Sequence, residues 1–137
     1  GKVVLGIAMK KKNILLVMHR KILSDALIEG SKDGERFEFQ AVQNHASALL
    51  TAEACMPGIV IMEIPESGNW KSADKCLAIC DMIRKQIPGC KQVLLCSESD
   101  AEACRAVIQA KQENRIDDFL YYDTSVRYLF SKLESLI

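Results

Sequence analysis

The chain has 137 residues, enough for one domain with a core of its own and too few for two ordinary ones. Apolar residues make up 49% and charged residues 26%, and 18 Lys and Arg balance 18 Asp and Glu, so the formal net charge is zero. That balance argues against direct nucleic-acid binding, since the basic excess is confined to Lys10, Lys11 and Lys12, and no apolar run approaches the roughly 20 residues that cross a bilayer.

Residues 1–12 read as a lead-in. "GKVVLGIAM" has a short apolar run without the h-region and cleavage site of a signal peptide. Met9 followed by three lysines looks like a natural start, which leaves residues 1–8 as an added leader or an extra strand. From there residues 13–137 form one domain. "NILLVM" (13–18) is a short continuous apolar run, the mark of a strand buried on both faces. "RKILSDALIEGSK" follows, with Ile22, Leu23, Ala26 and Leu27 at helical spacing and Gly30 as a stop. "RFEFQAV" alternates as a second strand, and residues 45–55 read as a second helix that ends before Met56-Pro57.

"GIVIM" is the third strand. Residues 71–87 make a long helix with Cys76, Leu77, Cys80 and Ile83 on one face, closed by Pro88-Gly89. "KQVLLC" is the fourth strand, Ser99-x-x-Glu102 a capping box for the next helix, and "DDFLYY" the fifth strand. The last helix, from about Thr124, sets Val126, Leu129, Phe130, Leu133, Leu136 and Ile137 along one stripe. The order βαβαβαβαβα, with right-handed crossovers, requires an open parallel sheet covered on both faces.

Six cysteines, at 55, 76, 80, 90, 96 and 104, read as small buried hydrophobes in a reducing cytoplasm. Cys76 and Cys80 are spaced to share a metal, but no His or second Cys pair completes a tetrahedral site. In doubly wound sheets ligands gather at the carboxyl ends of the strands, which points to Met18, His19, Glu63, Ser97 and Tyr122.

In order and spacing the chain from residue 13 onward resembles the receiver domain of bacterial response regulators. "NILLVMHRKILSDALIEG" is similar to the first strand and helix of the NarL-like subclass, "MPGIVIMEI" to the third strand, "KQVLLCSES" to the fourth and "IDDFLYYD" to the fifth. The resemblance implies a (βα)5 flavodoxin-like, CheY-like three-layer sandwich with strand order 2-1-3-4-5. It also implies a site. In the family, two acids after the first strand hold Mg²⁺, an Asp ending the third strand takes a phosphoryl group, a Ser or Thr ends the fourth, and Lys-Pro ends the fifth. A carboxylate nucleophile needs the cation to neutralise the incoming charge and donors for the phosphoryl oxygens.

Here the acidic pair falls on Met18 and His19, the acceptor on Glu63, one methylene longer than Asp, and the lysine on Tyr122 with Asp123 after it. Ser97 matches the switch hydroxyl and Phe119 the switch aromatic. "AKQENRIDD" replaces the family's tight turn before the fifth strand and is expected to remodel the end of the preceding helix. The resemblance therefore implies a degenerate receiver without catalysis, bound metal or cofactor. It would act in the cytoplasm through protein partners, as a possible homodimer, on a DNA-binding output domain beyond this chain.

Two other readings stand beside it: a divergent receiver still phosphorylated on Glu63, and a flavodoxin-like small-molecule binder using "MHRK" as its anion loop. Single residues carry open alternatives. Glu63 imitates a phospho-aspartate or is a solvated strand end. Ser97 bonds Glu63 or caps the following helix, and His19 pairs with Glu63 or sits on the rim. Tyr122 closes the pocket and donates to Glu63, or one of Tyr121 and Tyr122 is simply exposed. Trp70 covers the pocket, marks a contact surface or anchors the long helix. Cys96 is redox-active or structural, and His45 shows no partner.

Overall fold

The computed structural model describes residues 11–30 and 36–137, without the side chain of Val126; the reading of residues 1–8 lies outside them. Five strands form one sheet: β1 (Lys12–Val17), β2 (Phe37–Val42), β3 (Ile59–Glu63), β4 (Lys91–Cys96) and β5 (Asp118–Tyr121). They pair in parallel in the expected order β2-β1-β3-β4-β5. The connecting helices are α1 (Lys21–Gly30), α2 (Ala48–Cys55), α3 (Ala73–Gln86), α4 (Ala101–Gln112) and α5 (Val126–Leu136).

The two-residue period of the strands sorts their side chains onto two faces. Ile14, Leu16, Met18, Ile59, Ile61, Val93, Leu95 and Leu120 pack with Leu27 of α1 and Leu129 and Leu133 of α5. Leu15, Val17, Val60, Met62, Leu94 and Cys96 pack on the opposite face. Their partners there come from α2, α3 and α4, among them Ala52, Leu77, Ile83 and Val107. Each fully buried aliphatic side chain contributes about 1.5–3 kcal/mol, which is why both halves of "NILLVM" are apolar. At Gly58, just before β3, a Cβ would run into the Lys12 side chain, so glycine permits the first two inner strands to start side by side.

Several local expectations shift. Lys12 opens β1 and does not belong to a lead-in. The second helical segment is a 3₁₀ turn (His45–Ser47) followed by α2, closed by Met56 in the left-handed region at φ 47°. Ser99 does not cap α4: Asp100 does, accepting from the Ala103 N–H at 3.1 Å. Asp has the same short acceptor one residue closer to the helix. On α1, Ile22 is 73% exposed and Ala26 exposed, so the inward stripe narrows to Ser24 and Leu27, with Leu23 half-buried. In α5 Leu129 and Leu133 are buried, Phe130 and Leu136 half-buried and Ile137 exposed. The α3 face of Cys76, Leu77, Cys80 and Ile83 is buried as read.

The inserted "AKQENRIDD" does reshape the end of α4. Asn114 takes φ 62°, the Arg115 N–H reaches the Ala110 carbonyl at 2.8 Å and the Asn114 N–H the Lys111 carbonyl at 3.1 Å. Those two bonds define a Schellman motif, with Asn in the place glycine usually takes. Arg115 then clamps Asp81 of α3 through two bonds of 3.2 and 2.8 Å, and buried Ile116 seals the turn.

Candidate functional site

The strand phases bring Met18, Glu63, Ser97 and Tyr122 to the carboxyl edge of the sheet on the α1/α5 side, because Val17 pairs with Met62, Glu63 with Leu95 and Cys96 with Tyr121. Met18 is fully buried in the apolar cluster of that face and presents no oxygen ligand. Glu63 is also fully buried. It is not a solvated strand end.

Its carboxylate is held by Arg20, two residues past Met18. The Arg20 backbone N–H donates to Oε1 at 3.1 Å and Nε donates to Oε2 at 2.9 Å. The Arg20 guanidinium carbon lies 4.4 Å from the centre of the Tyr122 ring, so the cation is packed between a carboxylate and an aromatic face. The Tyr122 ring packs on Arg20, and its hydroxyl donates to the Ile64 carbonyl and not to Glu63. Burial, assisted by the Glu63 charge, pushes the Tyr122 phenol well above its usual range, so the hydroxyl keeps its proton and donates.

The other side of the same strand end is pinned by His45. Its Nε2 lies 2.6 Å from the Glu63 carbonyl oxygen. A carbonyl only accepts, so Nε2 carries the proton. Burial lowers the His45 pKa, keeping the ring neutral, and leaves Nδ1 as a buried lone pair without a partner among the described residues. The ring stacks on Trp70 with centroids 5.5 Å apart and planes 16° from parallel. Trp70 is delivered by a 3₁₀ turn (Asn69–Lys71) that Gly68 enters at φ 86°, a conformation costly for any residue with a Cβ. Thus Glu63 carboxylate, Glu63 carbonyl and Ile64 carbonyl are tied by Arg20, His45 and Tyr122 from three separate connections.

Ser97 does not meet Glu63, nor does it cap α4. Its hydroxyl pairs with that of Ser99 at 2.9 Å and accepts from the Ser99 N–H at 3.3 Å. Phe119 is half-buried on the α4 side, edge-on to Tyr121 at 5.9 Å, with Lys111 over its ring. His19 is exposed and is not among the hydrogen-bond partners of Glu63. It lines a cleft of about 310 Å³ with Gln43, Asn44, Ser67, Asn69 and Trp70.

The family's Mg²⁺ does not fit these residues. A hard cation requires several oxygen ligands. Here the acidic-pair positions offer a buried thioether and an exposed imidazole, and the one carboxylate is already paired with a guanidinium. Among the described residues no three His, Cys, Asp or Glu side chains are grouped to hold a metal.

Sequence reading missed Arg20 and His45. For Arg20 a signal existed: a basic residue in "MHRK" faces an inner strand that ends on an acid. For His45 there was none, because its partners lie 18 and 25 positions away and the nearer one is a backbone carbonyl.

No protein-family model and no curated protein matches the sequence. Solved structures do match. A response regulator from Thermotoga maritima is 15% identical at a TM-score of 0.73, over 93% of this chain and 98% of that one. A DNA-binding response regulator of the LuxR family from Staphylococcus aureus is 18% identical at 0.72, over 91% and 98%. An adenylate cyclase from Rhodopirellula baltica is 16% identical at 0.76, over 93% and 88%. The chain has the fold of the CheY-like response regulator receiver domains, with an arginine-clamped glutamate where the third strand ends.

Proposed function

We propose that this domain is a phosphorylation-independent receiver in two-component-type signalling, which catalyses nothing. It acts by protein contacts on an attached or partner DNA-binding output. The observation that carries the reading is the Arg20–Glu63 pair. The side chain in the acceptor position is 1% exposed, and both its oxygens are engaged by Arg20, Oε2 by the guanidinium and Oε1 by the backbone N–H. An incoming phosphoryl group would find neither a free carboxylate oxygen nor ligands for the metal that its transfer requires. The pair also supplies a charge balance resembling that of an occupied site, which favours one fixed state over a switched one. The Staphylococcus aureus neighbour, a DNA-binding response regulator, supports an output of that kind.

The test is titration with Mg²⁺, then Mg²⁺ with beryllofluoride, followed by amide shifts and by the fluorescence of Trp70, the single tryptophan. No saturable response at millimolar Mg²⁺ is expected. A saturable response at Glu63, Ser97 and β5 would overturn the reading in favour of phosphorylation on Glu63. Sedimentation over a hundredfold concentration range separately tests homodimerisation.

A second reading, small-molecule binding at the same edge, rests on the 310 Å³ cleft lined by His19, carboxamides and Trp70. A thermal-shift screen of small polar ligands, with Asn44→Ala as control, distinguishes it.

A further inference from the structure

Cys96 and Cys104 stand apart from the other cysteines. Cys96 ends β4 with its side chain on the α4 face, beside Tyr121, its register partner on β5. Cys104 is the fourth residue of α4 and packs onto the same cluster, half-buried. Its Sγ donates to the Ser97 carbonyl at 3.4 Å and to the Glu98 carbonyl at 3.6 Å. That places it over the residue directly after Cys96. The Cys104 thiol is also an electrostatic neighbour of the Cys96 thiol and the Tyr121 hydroxyl: after burial, its proximity helps raise the pKa of both. The cause is local: a four-residue connection (97–100) turns β4 straight into α4, so the strand's last side chain and the helix's first inward turn face each other.

We propose that Cys96 and Cys104 form a modification site, a thiol pair that a hydroperoxide converts to a disulfide joining the end of β4 to α4. In the first step the Cys104 sulfur, deprotonated, attacks the peroxide oxygen. The O–O bond breaks, an S–O bond forms, and the alkoxide leaves with the thiol proton as an alcohol, giving Cys104 sulfenic acid. In the second step the Cys96 sulfur attacks that of Cys104. The S–S bond forms, the S–O bond breaks, and the hydroxide takes the Cys96 proton to leave as water. Two thiols lose two electrons and two protons, and one hydroperoxide becomes one alcohol and one water.

The order of attack follows access. Cys104 has a path to solvent, and Cys96 is fully buried, with burial raising its pKa to about 12, so it enters only as the resolving thiol. Cys76, Cys80 and Cys90 are buried as well and lack an exposed partner in α4. The bond would take the Cys104 thiol off the two loop carbonyls and fix α4 against the strand that carries Ser97.

The experiment is tert-butyl hydroperoxide at a small molar excess on the folded protein, followed by alkylation of free thiols and peptide mass spectrometry under non-reducing conditions. The expected product is a Cys96–Cys104 crosslink with a loss of two hydrogens, reversed by dithiothreitol. C96S should halt the reaction at Cys104 sulfenic acid, trapped by dimedone, and C55S should leave the crosslink unchanged. Thermal melts of C96S and C104S establish that each is folded. Crosslinks distributed among other cysteines, or over-oxidation of Cys104 without any crosslink in the parent, would overturn the proposal.

Discussion

Replacing Arg20 by methionine isolates the clamp, because methionine keeps most of the stem and removes the charge. The acceptor is 1% exposed and the donor 41% exposed, so this pair is half of a buried ion pair. Losing a hydrogen bond to a charged acceptor costs about 1.5–3 kcal/mol. Losing the guanidinium from the Tyr122 face costs about 0.5–1 kcal/mol more at an exposed site. Breaking a fully buried pair costs about 3–5 kcal/mol, but water reaching Glu63 from the open side of Arg20 reduces that here. The expected loss for R20M is therefore about 2–3 kcal/mol, measured by urea unfolding with Trp70 fluorescence and far-UV circular dichroism. The double variant R20M/E63Q removes the stranded charge and should recover about 1 kcal/mol of it. If R20M stays within about 0.5 kcal/mol of the parent, or the double variant is no better than R20M, Glu63 is solvated and the clamp explains nothing.

Other outcomes follow from neighbouring residues. Because burial holds the folded His45 pKa below the ordinary 6.5, the unfolded chain binds a proton that the fold does not. Its contribution is complete above pH 6.5 and is lost as the pH falls toward the folded value, with a slope of at most about 1.4 kcal/mol per pH unit. His45→Gln should flatten that slope between pH 6.5 and 5 in urea titrations; an unchanged slope refutes the assignment. Tyr122→Phe should cost about 1–3 kcal/mol, since it strands the Ile64 carbonyl while keeping the ring, and a neutral result would mean water replaces the bond. At the left-handed Asn114, Asn114→Ala should lose about 1 kcal/mol of thermal stability and Asn114→Gly little or none; equal effects would argue against the Schellman turn.

The architecture was legible because it depends on periodicity, and periodicity is local. Five strand-forming runs, each four to six residues long in the fold, four of them mostly apolar and one alternating, are separated by helical stretches, and the handedness rule leaves few ways to join them. The burial of Cys76, Leu77, Cys80 and Ile83 could be read for the same reason. What sequence could not supply were contacts set by strand phase across the sheet. Glu63 looked solvated because it ends a strand. It is buried because β1 and β4 flank it, and the first connection folds Arg20 over it. Likewise Ser97 sat at the right position for Glu63, but its hydroxyl was satisfied two residues away by Ser99, a local partner that needs no tertiary closure.

Under the proposed function, Arg20 sits on Glu63 where the resembled site would use Mg²⁺, and that changes the kind of control the site permits. A diffusible cation stabilises its bound state by an amount that varies with its concentration and is linked to whatever else the site binds. A guanidinium three residues beyond β1 has no such dependence: its occupancy is set by the fold, and disruption of the Tyr122 packing would release it. On this reading the carboxyl edge of the sheet is a structural latch, and any regulated input must enter elsewhere. Of the sites bordering that edge, the β4–α4 turn holds the half-buried Cys104 thiol near Cys96, so the disulfide proposed above could form there without opening the Arg20 clamp. Oxidation should accordingly leave the His45–Trp70 stack and the Glu63 amide shift unchanged, while moving the shifts of Ser97, Glu98 and Tyr121. Movement of the Glu63 resonance with the crosslink would show instead that latch and turn are coupled.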